Sequence, residues 1–172
     1  MTIWRRQFCS KVLILLGVFL WSLALFPPPS SAQTQLNVYA VKFVIGNQKL
    51  AGNRVTPANY LTSINIHNPN TSTAIFYKKG ILLKPGQIPT PPGEKVKEEL
   101  GPDFAMDMSA KDIQVLLGLV PNTNFKTGFV VFECDKVLDI VAVYTSQGVG
   151  GQDSCIEVET IKPNVITIQP PG

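Results

Sequence analysis

Histidine and tryptophan are almost missing from the part of this 172-residue chain that carries a foldable pattern. His67 is the one histidine, and both tryptophans, Trp4 and Trp21, fall in a leading apolar segment. One imidazole excludes by count a metal site built on two or three histidines and a triad needing a second histidine role. Beyond residue 32 no indole is left to stack a sugar ring. Tyr39, Tyr60 and Tyr77 remain as substitutes, but strand parity directs each toward an apolar face, where the ring packs and the hydroxyl finds a partner. No serine stands in a Gly-x-Ser-x-Gly elbow, and no phosphate-binding glycine loop precedes a helix. Gly148-Val149-Gly150-Gly151 is a loop between strands. Internal repeats of 20 to 50 residues and heptads are missing too, which removes solenoids and coiled coils.

What is present begins with an export signal. Arg5, Arg6 and Lys11 form a basic start, Val12 to Phe26 is apolar apart from Gly17 and Ser22, and Ser30-Ser31-Ala32 offers small residues to a peptidase. Residues 1–32 are therefore expected to be a cleavable signal peptide, with cleavage between Ala32 and Gln33. Fifteen helical residues cover about 22 Å, short of a hydrocarbon core of about 30 Å. Pro27 to Pro29 end that helix, so cleavage fits better than an anchor. Cys9 precedes the apolar run, which disfavours lipid attachment. Arg5-Arg6-Gln7-Phe8 resembles the core of a twin-arginine signal, yet Trp4 and Cys9 depart from it, and ordinary positive charge on the general secretory route is the preferred reading. The expected location is periplasmic or extracellular, with no stable membrane span after cleavage.

Three of the 15 basic residues lie in that segment and none of the 12 acidic ones does, so the formal charge of +3 falls to zero on cleavage. The footprint of a nucleic-acid binder is missing. Lys78-Lys79 and Lys95 to Lys97 are the local basic groupings and read as solvated loops. About 140 residues make one domain, 33–172, with a single core. Its two cysteines, Cys134 and Cys155, are a possible disulfide in an oxidising compartment. If Gly128 to Glu133, Leu138 to Thr145 and Cys155 to Ile161 form a meander, the two lie about 20 Å apart, and only a crossover between sheets would join them.

Alternation then sets the elements. Tyr39, Val41, Phe43 and Ile45 share one face of a strand over Leu36 to Ile45, and Tyr60, Thr62, Ile64 and Ile66 share one face of a second. Asn68-Pro69-Asn70 turns the chain into Ala74 to Lys79. A Pro/Gly-rich loop follows over 84–102, within which Lys95 to Leu100 is expected to add at most a helical turn. Phe104 to Met108 reads as a strand, and Ser109 with Asp112 as the capped start of a helix carrying Ile113, Leu116 and Leu117. Phe129 and Val131 alternate against Val130 and Phe132, Val137 to Tyr144 is apolar on both faces, and Ile156 to Ile168 continues the β pattern. Seven or eight short strands with one helix predict an all-β, antiparallel sandwich, the helix resembling a corner helix of immunoglobulin-like domains.

Four runs carry a wider resemblance: Tyr60 to Pro69, Phe76 to Lys79, Thr127 to Val131 and Val141 to Thr145. In these the chain resembles a group of small exported prokaryotic proteins without a defined activity. The resemblance implies an immunoglobulin-like β-sandwich and brings no site residues.

Candidate chemistry is sparse. His67, at a strand end before Asn68-Pro69, reads as a structural residue facing turn backbone or solvent. Asp103, Asp107 and Asp112 are the nearest approach to a cation site, but Asp103 and Asp107 lie about 13 Å apart along a strand and Asp112 serves the helix start. Glu157 and Glu159 share a strand face about 7 Å apart with no further catalytic group beside them. No catalytic residue, cofactor or metal ligand is assigned. The expected function is non-enzymatic: an envelope or extracellular protein-interaction module whose partner is another exported protein, touching it through the 84–102 loop or an edge strand such as Val165 to Ile168. A saccharide or small-ligand binding module is the alternative, and a hydrolase with an unconventional site the second alternative.

Overall fold

Strict alternation builds the first strand. β1 (Thr34–Gln48) turns Tyr39, Val41, Phe43 and Ile45 inward, none more than 1% exposed, while Ala40 and Lys42 face out. In the computed structural model, residues 34–49, 55–86, 88–148 and 154–168 are described. The signal segment 1–32, the cleavage pair Ala32-Gln33 and Val149 to Gly151 lie outside the described residues.

The chain continues through β2 (Ala58–His67), β3 (Ala74–Leu82), β4 (Val96–Leu100), β5 (Ala105–Met108), the helix α1 (Ala110–Leu116), β6 (Lys126–Cys134), β7 (Asp139–Gly148), β8 (Ser154–Ile161) and β9 (Asn164–Ile168). All pairings between these strands are antiparallel. One set runs β4-β3-β6-β1, with β9 on the N-terminal half of β1; the other runs β2-β7-β8, with β5 on β2. β1 belongs to both, because Asn37 to Ile45 pair with β6 while Gly46 to Gln48 pair with β2. Both sets contribute to one apolar core, including Phe43, Ile64, Phe76, Phe132 and Ile140. The result is all-β and mostly antiparallel with one short helix.

Two devices let β1 change partners. Gly46 has φ 94°, and a Cβ there would collide with the Asn124 carbonyl, so only glycine suits the bend. Among the described residues no strand lies beside the outer edge of β1 between the β9 and β2 pairings, and side chains serve its backbone there. The Thr62 hydroxyl accepts from the Val44 amide at 3.0 Å and donates to the Val44 carbonyl at 2.9 Å, while the Tyr144 hydroxyl donates to the Lys42 carbonyl at 3.1 Å. Tyr39 closes the core, its hydroxyl accepting from the Leu138 amide at 2.8 Å.

The structure departs from expectation in the partners of the strands. Of the meander considered from sequence, β7 and β8 do pair, but β6 lies between β3 and β1 and does not pair with β7. β6 is central in its set, flanked on its two edges by β3 and β1, and is buried on both faces from Val130 to Cys134. Val96 to Leu100, expected as a helical turn, is strand β4. Its register along β3 places the nearly buried Leu100 opposite Ala74, and pairing overrides a weak helical tendency. α1 starts as predicted, with Ser109 and Asp112 forming a reciprocal capping box and Ile113 fully buried.

Candidate functional site

Among the described strands the least covered are β8 and β9. Every residue of β8 is exposed except Ile161, which is half-buried, and every residue of β9 is exposed. Ile156 and Val158 are 73% and 63% exposed, and Val165, Ile166 and Ile168 about half. Among the described residues β8 pairs only with β7 and β9 only with β1, so each leaves one backbone edge open. The other outer strands are protected: β4 has five residues, three of them charged, and β5 has only four. β8 has eight residues with no lysine, arginine or proline.

Behind β8, where β1 lacks a neighbouring strand, a cleft of about 550 Å³ opens. Lys42, Phe129, Tyr144, Glu157 and Glu159 contribute to its wall. Glu157 and Glu159 sit opposite Tyr144 and Ala142 across the β7–β8 ladder, on the face directed into the cleft. Neither makes an ion pair among the described residues. The Tyr144 hydroxyl lies 3.0 Å from Glu159 Oε2, so its one proton is divided between that carboxylate and the Lys42 carbonyl. Burial, followed by the hydrogen bond to Glu159, pushes the Tyr144 pKa well up and keeps it a neutral donor.

His67 sits at the other end of β2. Its Nε2 lies 3.0 Å from Asp103 Oδ1 and its Nδ1 3.1 Å from Asp139 Oδ2. Carboxylates only accept, so both ring nitrogens must carry protons for both bonds to form. Hydrogen bonds to Asp103 and then Asp139 accordingly raise the imidazole pKa. Asp103 reaches the ring from a turn where its φ is 59°, and Asp139 lies directly across the β2–β7 ladder. The neighbouring Asn68 is fully buried. The two protons of its side-chain amide are shared among the Ser72, Leu100 and Gly101 carbonyls, and its Oδ1 accepts from Asn70. This end is a polar staple joining three turns.

The aspartates considered for a cation do not converge. Asp103 binds His67, Asp107 binds the Ser63 hydroxyl and Asp112 caps α1. No group of three or more metal-ligating side chains is found among the described residues. Tyr39 is core and Tyr60 is half-buried, edge-on to Phe125, but Tyr77 is 43% exposed because β3 turns it away from Phe76. Cys134 and Cys155 are both free. Cys134 ends β6 near the start of β7, whereas Cys155 pairs with Ser146 at the far end of β7, about 23 Å along at 3.3 Å per residue. The crossover that could have joined them thus leaves them at opposite ends. Burial pushes the Cys134 thiol pKa up, which holds it unreactive.

Glu133 is the polar residue that alternation left unexplained. It is 9% exposed on β6, with Lys79 and Lys95 each 2.5 Å from one carboxylate oxygen. Burial raises its pKa, but the two lysines outweigh that and the net shift is downward. The lysines expected to be loop residues are therefore paired: Lys79 and Lys95 with Glu133, Lys78 with Glu98 and Lys97 with Glu99. A lone carboxylate inside Phe129 to Cys134 was the signal, since a buried charge requires a partner.

Among the described residues no helix is long and apolar enough to cross a membrane. No family model matches the sequence, and no curated protein matches it. A solved structure with a similar course is the crystal structure of Thermotoga maritima 1070, which is 11% identical, spans 74% of this chain and 92% of that one, and has a TM-score of 0.46. A likeness at that level carries no residue role and no activity across.

Proposed function

We propose that the protein is an exported, non-enzymatic β-sandwich of the immunoglobulin-like kind, acting as an envelope or extracellular interaction module for another exported protein. The observation that carries this reading is the β8–β9 flank, two strands with open edges and five large apolar side chains in solvent. Export rests on the pattern of residues 1–32, and the immunoglobulin-like assignment on the antiparallel pairings with a corner helix. The side chains most capable of chemistry already have structural tasks: His67 bridges two aspartates, Tyr144 is a neutral donor and Cys134 is buried.

Pull-down of the tagged mature protein from the export fraction tests the reading. The Ile156→Lys/Val158→Lys variant is expected to lose the partner that the wild type recovers, with its thermal midpoint nearly unchanged. Deleting 84–94, which spares β4, asks whether the preceding loop contributes. Equal recovery by the flank variant would count against the flank, and no partner under any condition would count against the module.

The cleft beside Tyr144 favours a second reading, a saccharide or small-ligand module, because about 550 Å³ lies within the usual range of roughly 300–1,000 Å³ for ligand sites. Binding on a glycan array that Tyr144→Phe weakens would support it over protein contact.

A further inference from the structure

We infer that the open edge of β8 takes up an extended partner strand in which basic and apolar residues alternate, basic side chains lying opposite Glu157 and Glu159 and apolar ones opposite Ile156 and Val158. This rests on the interaction-module reading and names its partner by chemistry. β8 is long enough for several rungs and among the described residues has one neighbour, β7. Its two faces differ in kind: Cys155, Glu157 and Glu159 face the cleft, while the alternate residues Ile156, Val158 and Thr160 lie on the opposite face. A strand added to this edge must continue both faces. Outward it meets exposed β-branched side chains, and inward it meets two carboxylates without ion-pair partners among the described residues.

The same carboxylates argue against a second copy of this chain. A two-fold axis through Val158 sets Glu157 opposite Glu159 of the second copy, twice. An axis through Glu157 sets that carboxylate opposite itself. These registers use the most of β8, and both oppose like charges directly, which destabilises a strand pair. A lysine or arginine at those positions reverses the sign of the interaction. Backbone hydrogen bonds then supply affinity, and the side-chain alternation supplies selectivity.

The test uses fluorescence-labelled peptides with the folded mature protein. The probes are alternating lysine and valine, alternating glutamate and valine, and lysine and valine grouped in two blocks. Two further copies of the first peptide are N-methylated, one on every valine amide and one on every lysine amide. The alternating basic peptide is expected to bind at least tenfold tighter than the acidic and the blocked ones. The Glu157→Lys/Glu159→Lys variant should invert the basic-to-acidic preference, with Glu157→Gln/Glu159→Gln intermediate and circular dichroism confirming the fold of each. One N-methyl pattern should lose binding and the other keep it, because successive amides of a strand point to opposite edges.

Equal binding of the alternating and blocked peptides, equal effects of the two N-methyl patterns, or no binding at all would overturn the proposal. So would a wild-type dimer that excludes the peptides. If pull-down still recovers a partner through the flank while every peptide fails, the module reading stands and the strand rule falls.

Discussion

The Asn68 end and the β8–β9 flank are assembled from similar material, β-rich sequence with short turns, yet they treat their polar groups in opposite ways. Around Asn68 one buried amide serves three carbonyls, and His67 ties β2 to β7 and to the turn before β5. At the flank, no described strand covers the outer backbone edges, and apolar side chains remain in water. Buried polar groups left unpaired cost stability, so the first region can hold only one arrangement. Open edges cost little in isolation but form templates for another chain. On the proposed reading, stability is concentrated away from the surface offered to a partner, and the two properties should be separable by substitution.

The largest effect expected at the stapled end comes from Asn68→Ala. It removes the two amide protons that three carbonyls share and the acceptor of the Asn70 amide, and at about 1 kcal/mol per hydrogen bond the loss of these three is about 3 kcal/mol. For a domain of this size that lowers the melting temperature by about 10 °C in a calorimetric scan. The flank variant Ile156→Lys/Val158→Lys should lose partner recovery while staying within about 0.5 kcal/mol of wild-type stability. Loss of partner recovery by Asn68→Ala under conditions where it remains folded would erase the contrast.

His67 gives a smaller, pH-dependent effect. Its pKa is raised in the folded state from 6.5, so its stabilising contribution is complete below about pH 6.5 and is lost as pH rises through the raised folded value. His67→Gln should therefore lower the melting temperature at pH 5 and leave it little changed at pH 9. The ring is partly exposed and the two aspartates more so, so added salt should shrink the difference at pH 5.

Much of the fold was legible because alternation reports faces directly: Tyr39 to Ile45, Thr62 to Ile66 and the Ser109–Asp112 cap stand where the pattern placed them. Partners were less legible. A period of two says which side chains are buried but not which strand lies alongside, so it does not distinguish β7 as a neighbour of β6 from the β1 and β3 that flank it. The edge strand β4 hid in a charged stretch because edges favour charge, which also resembles a loop. At the candidate site, the strand Val165 to Ile168 was anticipated as an edge. The roles of Thr62 and Tyr144 were not, because they serve a gap in β1 that exists only once the chain has folded over. His67 was expected to face turn backbone or solvent, but it meets two aspartates that are distant in sequence and that no spacing announces.

Site-specific photo-crosslinking in the export compartment tests the central claim most directly. A photoreactive residue placed at Ile156 on β8 is compared with one at Thr71, an exposed turn residue at the stapled end. Contact through the flank predicts a discrete protein adduct from position 156 and none from position 71. An adduct from position 71 alone, or none from position 156 when a partner is recovered by pull-down, would contradict it.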